Sequence, residues 1–319
     1  MQRYVQMAGW FAALLTVAGC FNYWAVLGPE DLPRANEILT IESPTRLVVR
    51  KSETGRLEGR IAVEEDGVLS LVVKGELSVA DEAGIEVRGG SVAWTIDGIL
   101  DGATLSLTNG DGGSISVDAA RGSIDIGNLN MNVVESSLTW TSTDMRVNNM
   151  NVQNYGGVTR ITDTGTMQVN NMSLIEQMDD SGSGGLTLNC HDGSVNNLTA
   201  AANGSGSALD MVLQGQVSWN NINVDANYGG SVRINAGAGA VVSFEHLYVL
   251  CSGWSHGRPS SAELVNAGNL TVDYFLTTEG CDYQDITEPL GPSTWLVTFP
   301  AGETFTIVNT GTLDMQLPL

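Results

Sequence analysis

"MRVNNMNV" (145–152) is followed within two dozen residues by "MQVNNMSL" (167–174). Met145 and Val147 fall on odd positions, whereas Met150 and Val152 fall on even ones. In an uninterrupted strand, successive side chains alternate between faces, so one of these pairs would point into solvent. Both pairs can face inward only if the chain bends at Asn148-Asn149 and two residues absorb the change of phase. Asparagine suits such a corner, because it tolerates left-handed backbone and bonds locally through its side chain.

The pattern recurs. "SIDIGNLNM" (123–131), "GSVNNLTA" (193–200), "QVSWNNINV" (216–224) and "VSFEHLYV" (242–249) all read apolar-x-apolar, two middle residues, apolar-x-apolar. Anchored on Leu129, Met150, Met172, Leu198, Ile222 and Leu247, the intervals are 21, 22, 26, 24 and 25 residues. A fixed motif at this spacing marks a solenoid with one repeat per coil. Asn148, Asn149, Asn170, Asn171, Asn196, Asn197, Asn220 and Asn221 are therefore read as structural corners. Stacked coils would place equivalent amides about 4.8 Å apart, close enough to form ladders. A third strand per coil is visible at Leu138/Trp140, Leu186/Leu188, Leu209/Met211 and Val232/Ile234. The fold class is thus all-β: a single-stranded, three-sided parallel β-helix of about 24 residues per coil. The expected organisation is a leader over 1–19, a tether or N-terminal cap over 20–59, the coil over 60–275, and capping strands over 276–319. Eight or nine turns would make a rod of roughly 40 Å. Trp140 and Trp219 adjoin corners and are assigned to the core.

Composition agrees and limits the partners. The 319 residues carry a net charge of −22, the only lysines are Lys51 and Lys74, and half of the fourteen basic residues precede position 61. Such an acidic body repels phosphate backbones, so nucleic acid is not an expected partner.

The first twenty residues, "MQRYVQMAGWFAALLTVAGC", carry Arg3, then an apolar run from Met7 to Gly19. That run is short for a membrane span and suits a secretory signal. Its end, Val17-Ala18-Gly19-Cys20, resembles the lipobox of prokaryotic lipoproteins. The resemblance implies cleavage before Cys20, lipid on that cysteine, attachment to a membrane, and a location in the cell envelope on the outer membrane or cell surface. The alternative is an ordinary signal peptide or uncleaved anchor, and either route exports the chain to where disulfides form. Cys251 and Cys281 are the expected disulfide, and Cys190 continues the apolar alternation as a small buried residue.

The repeat over two thirds of the chain resembles the pectin-lyase-like parallel β-helices, without any of their catalytic signatures. That resemblance implies a polysaccharide-cleaving alternative, a glycoside hydrolase or lyase. The residues it would draw on are Asp179-Asp180 and His256 with Arg258, which lie about three coils apart. No residue is nominated as catalytic. A second echo, "VQNYGGVTRI" (152–161) and "VDANYGGSVRI" (224–234), offers Tyr155, Arg160, Tyr228 and Arg233 as a glycan-binding strip. Aromatic rings present flat faces to sugars and arginines supply donors. The competing reading is turn chemistry inherited by duplicated coils. The Asp/Gly turn "TNGDGGS" (108–114) and Asp179-Asp180 are the calcium (Ca2+) candidates, though neither has the spacing of a known calcium loop. No other metal or cofactor is called for. Asn171, Asn197, Asn203 and Asn269 begin N-x-S/T triplets, read as coincidental in an asparagine-rich chain. The expected role is an exported, lipid-anchored surface protein with a structural, adhesive or glycan-binding scaffold function. A filament formed by end-to-end self-association of coils is the remaining alternative.

Overall fold

The computed structural model describes residues 2–4, 24–178, 184–255, 258–277, 282–285, 294–299 and 303–315. The chain divides into two compact units, residues 1–142 and 143–319, and both are three-sided parallel β-solenoids.

In the first unit, one side stacks Ala25–Leu27, Thr45–Val49, Val68–Val73, Ser91–Ile96 and residues 114–118 in parallel. A second side stacks Thr54–Leu57, Glu76–Val79, then residues 99–102 and 123–126. The third runs from Gln2–Tyr4 through Ile38–Ile41, Arg60–Val63 and Ala83–Arg88 to residues 105–110 and 129–133. Inward columns such as Leu47–Leu71–Trp94–Val117 and Ile61–Ile85–Leu107–Met131 fill the interior, each residue almost wholly buried. Burying side chains of this size stabilises by about 1.5–3 kcal/mol each.

The second unit repeats the plan. Strand Val158–Gln177 shows how a corner is made without breaking the strand. Met167 and Val169 are buried, Asn170 and Asn171 are both exposed, and Met172 and Leu174 are buried again. The two-residue phase change is therefore real. It sends the core columns Ile161–Leu188–Met211–Ile234–Leu264–Ile307 and Met172–Leu198–Ile222–Leu247–Phe275 down adjoining sides. Trp219 is buried and stacks on Phe244 at 5.8 Å, and Trp140 is buried in the first unit.

In each unit, strand pairing extends beyond residues 60–275. Parallel pairing already involves Ala25–Leu27 and Ile38–Ile41, so residues 25–59 belong to the solenoid rather than to a tether. These strands are only three to five residues long, and Arg46 and Arg56 fill outward positions in them. At the other end, Thr304–Asn309 and Thr312–Met315 pair in parallel with Ser261–Asn266 and Asn269–Thr277. Thr294–Thr298 runs antiparallel to both Thr304–Asn309 and Asp282–Asp285. Buried Val297, Phe299 and Phe305 pack there, with Phe275 stacked on Phe305 at 5.5 Å. No described helix is long and apolar enough to cross a membrane.

Candidate functional site

The corner asparagines form two parallel ladders. In one, Asn170 donates to Asn148 (3.1 Å), Asn196 to Asn170 (2.7 Å) and Asn220 to Asn196 (3.1 Å). In the other, Asn171 donates to Asn149 (2.8 Å), Asn197 to Asn171 (2.8 Å) and Asn221 to Asn197 (2.9 Å). The second column then changes chemistry. His246 and Tyr274 occupy the next two positions, and their rings stack 4.8 Å apart with planes 14° from parallel. In the first unit the equivalent corner uses Asp81, Thr104 and Asn128, linked Asn128 to Thr104 (3.2 Å) and Thr104 to Asp81 (3.4 Å).

A groove of about 460 Å³ opens on the neighbouring side of the second unit, lined by Thr166, Gln168, Asp192, Gly193, Ser194 and Gln216 from three successive coils. Parallel register places Thr166 beside Asp192 and Gln168 beside Ser194. The backbone N–H of Gln216 donates to Asp192 Oδ1 (2.6 Å), and His191 Nδ1 lies 3.1 Å from Oδ2. These contacts, the backbone one foremost, hold the Asp192 carboxyl below its usual range. The groove therefore presents hydroxyls, amides and one ionised carboxylate. Two carboxylates with separated proton affinities, which hydrolysis of a glycosidic bond normally requires, do not meet among its lining residues.

The proposed Tyr/Arg strip is only half assembled. Arg160, Thr187, Asp210, Arg233 and Glu263 stand in one outward row, but Arg233 Nε is committed to Glu263 at 3.0 Å. The tyrosines are out of register. The Gly156 N–H bonds Gln177 C=O, and the row continues through Asn203 and Asn227, so Tyr155 aligns with Asn227 rather than with Tyr228. One extra residue before the second Asn-Tyr-Gly-Gly shifts the motif along the coil. Tyr155 is half-buried, its hydroxyl donating to Gln153 (3.2 Å), whereas Tyr228 is 64% exposed at a positive φ of 53°.

Asn109 of the 108–114 turn is buried, its amide donating to Gly113 O (3.2 Å) and Ser137 O (2.7 Å), and so staples the turn from inside. Among the described residues, no group of three or more His, Cys, Asp or Glu is placed to hold a metal ion. Cys190 is buried, and burial foremost pushes its thiol up to about 12, which keeps it protonated and inert. Cys251 is also buried, with Sγ 3.5 Å from Thr304 O; Cys281, Cys20, Asp179, Asp180 and His256 lie outside the described residues, as does the side chain of Arg258.

Two features escaped the sequence reading. On an outer side of the first unit, Arg56, Ser78, Asp101 and Asp125 form one row, with Ser78 donating to Asp101 (2.8 Å) and Asp125 in the adjacent coil. The paired strings "ILDG" (99–102) and "SIDI" (123–126) carry the two aspartates at the same position. In the second unit, Glu176 is fully buried. One of its oxygens accepts from Asn154 Nδ2, and the other has no partner among the described residues. Asn154 is itself buried, donating also to Gly157 O (2.8 Å) and accepting from Thr159 (3.0 Å).

These features define a parallel β-solenoid protein whose outer faces carry rows of amides and hydroxyls. Comparison with protein families, characterised proteins and solved structures finds no match.

Proposed function

We propose that this chain is an exported, lipid-anchored β-solenoid that serves as a surface scaffold and presents its polar faces to other components of the cell envelope. One observation carries the scaffold part of this reading. The repeated asparagines serve the fold, hydrogen-bonding one another in ladders from coil to coil. Address and anchor are supported by the sequence Val17-Ala18-Gly19-Cys20. The acidic body, at −22, favours neutral or cationic partners over anionic ones.

A hydrolytic reading has one specific support, the stacked Asp101 and Asp125. The test separates the two: purified protein is incubated with neutral and acidic polysaccharides, and new reducing ends and unsaturated products are followed. The scaffold reading expects no turnover. Cleavage at ordinary enzymatic rates that disappears in Asp101→Asn would replace it with the enzyme.

A further inference from the structure

Tyr228 stands where tyrosine is disfavoured. Asn227–Gly230 is closed by a Gly230 N–H to Asn227 C=O bond (3.1 Å), and both central residues have positive φ, 53° at Tyr228 and 83° at Gly229. The first central position of such a turn is ordinarily taken by Gly, or by Asn or Asp, whose short polar side chains tolerate left-handed backbone better than a bulky one. The other described non-glycine residues with positive φ are Asn36, Glu82, Asp111 and Glu135, so Tyr228 is the one aromatic among them. Strain of this kind persists only where the surroundings enforce it, and it gathers at places that bind.

The surroundings do enforce it. Gly253, itself at φ 77°, underlies the ring: a Cβ there would come within 3.0 Å of Tyr228 Cδ1 and 3.3 Å of Cε1. Ser260 braces the turn, its Oγ accepting from Gly229 N–H (2.9 Å) and lying 2.9 Å from Ser252 O and 3.0 Å from Gly253 O. One edge of the ring is therefore seated on the next coil while the side chain stays 64% exposed. Beside it runs a polar row in which Asn227 donates to Asn203 (3.0 Å) and accepts from Ser252 Oγ (2.6 Å). A primary amide has two N–H donors, so both asparagines keep hydrogen-bonding capacity in reserve.

We infer that Tyr228, with the Asn203–Asn227–Ser252 row, is a binding site for neutral polysaccharide. A rigid exposed ring offers an apolar face to the C–H face of a sugar, and the amides and hydroxyl alongside match its hydroxyls. The net charge of −22 selects against uronate polymers. The inference rests on the surface-scaffold reading. Its failure is distinguishable from failure of that reading, which is decided by turnover assays and lipid labelling.

The experiment is affinity electrophoresis of the purified protein through gels containing β-glucan, xylan or mannan, with polygalacturonate as the anionic comparison. Thermal melts are run on the same samples. The variants are Tyr228→Asn, Tyr228→Gly, Gly253→Ala and, as a control at another exposed ring, Tyr274→Ala. The expected result is retardation by at least one neutral polymer and none by polygalacturonate. Tyr228→Asn and Tyr228→Gly should weaken it about tenfold, the loss of one stacked aromatic. Both should melt no lower than the parent, because they relieve the left-handed strain. Gly253→Ala should weaken binding with the tyrosine still present, and Tyr274→Ala should leave it intact. Retardation by none of the neutral polymers, or unchanged binding in Tyr228→Asn, overturns the inference. A drop in melting temperature in both Tyr228 variants with binding unchanged would make the ring a packing group for the turn.

Discussion

Asn171 donates to Asn149 at 2.8 Å and accepts from Asn197 at 2.8 Å, so one exposed side chain ties three successive coils together. Asn171→Ala removes both bonds at once. At a net 0.5–1.5 kcal/mol per bond, and with water able to serve the freed neighbours, the expected loss is about 1–2 kcal/mol. Ser173→Ala, two residues along on the same side, is the comparison and should be near neutral. Urea melts of the two variants check this.

Glu176 should make stability depend on pH in an unusual direction. Burial raises its carboxyl to about 7, with the Asn154 hydrogen bond opposing. Asp163 and Cys190, the other inward-facing titratable groups of these coils, stand at a different corner from Glu176. Below the unfolded value, both states are protonated and the contribution is fully present. As pH rises, the unfolded chain releases the proton first while the folded one retains it, so stability falls until the folded group also ionises near 7. The span corresponds to roughly 3 kcal/mol at most. Glu176→Gln should abolish this component, so the variant gains on the parent between about pH 5 and 8. A difference between the two melting curves that is flat with pH would refute it.

Gly102 sits at φ 140°, and a Cβ there would approach Val79 O to 2.0 Å, between strands that pair at that position. Because backbone cannot yield as a flexible side chain does, Gly102→Ala is expected to cost on the order of 2–4 kcal/mol. Chemical denaturation measures it; a loss below about 1 kcal/mol would mean that the strand shifts freely.

Trp219 tests the core. Its ring stacks on Phe244, but its indole N–H is buried without a partner among the described residues. Trp219→Ala should cost about 3–5 kcal/mol. Trp219→Phe should cost distinctly less, because it keeps most of the packing and removes an unpaired donor whose burial is unfavourable by about 1–3 kcal/mol. Equal losses in the two variants would contradict this reading of the core.

What the sequence revealed, and what it hid, follows from the side-chain period. A two-residue change of phase at Asn148-Asn149 or Asn170-Asn171 is visible because alternation on both sides is long and apolar. The same rule pointed to Glu176, since Met172, Leu174 and Glu176 share parity, but a carboxylate in an inward position runs against expectation. The coil before residue 60 was hidden because three- to five-residue strands carrying Arg46 and Arg56 alternate too briefly to register. The Tyr155/Tyr228 echo misled because motif identity does not fix register: one additional residue moved the second tyrosine out of the strand row and into the turn. That displacement also created the strained, exposed ring on which the binding inference rests.

The claim that most needs direct measurement is lipid attachment at Cys20. Cells expressing the full chain are fed a labelled fatty acid and fractionated, with Cys20→Ala in parallel. The account predicts label on the parent protein in the membrane fraction, and loss of both label and membrane retention in the variant. An unlabelled parent, or a Cys20→Ala protein that still carries label and stays with the membrane, would contradict it.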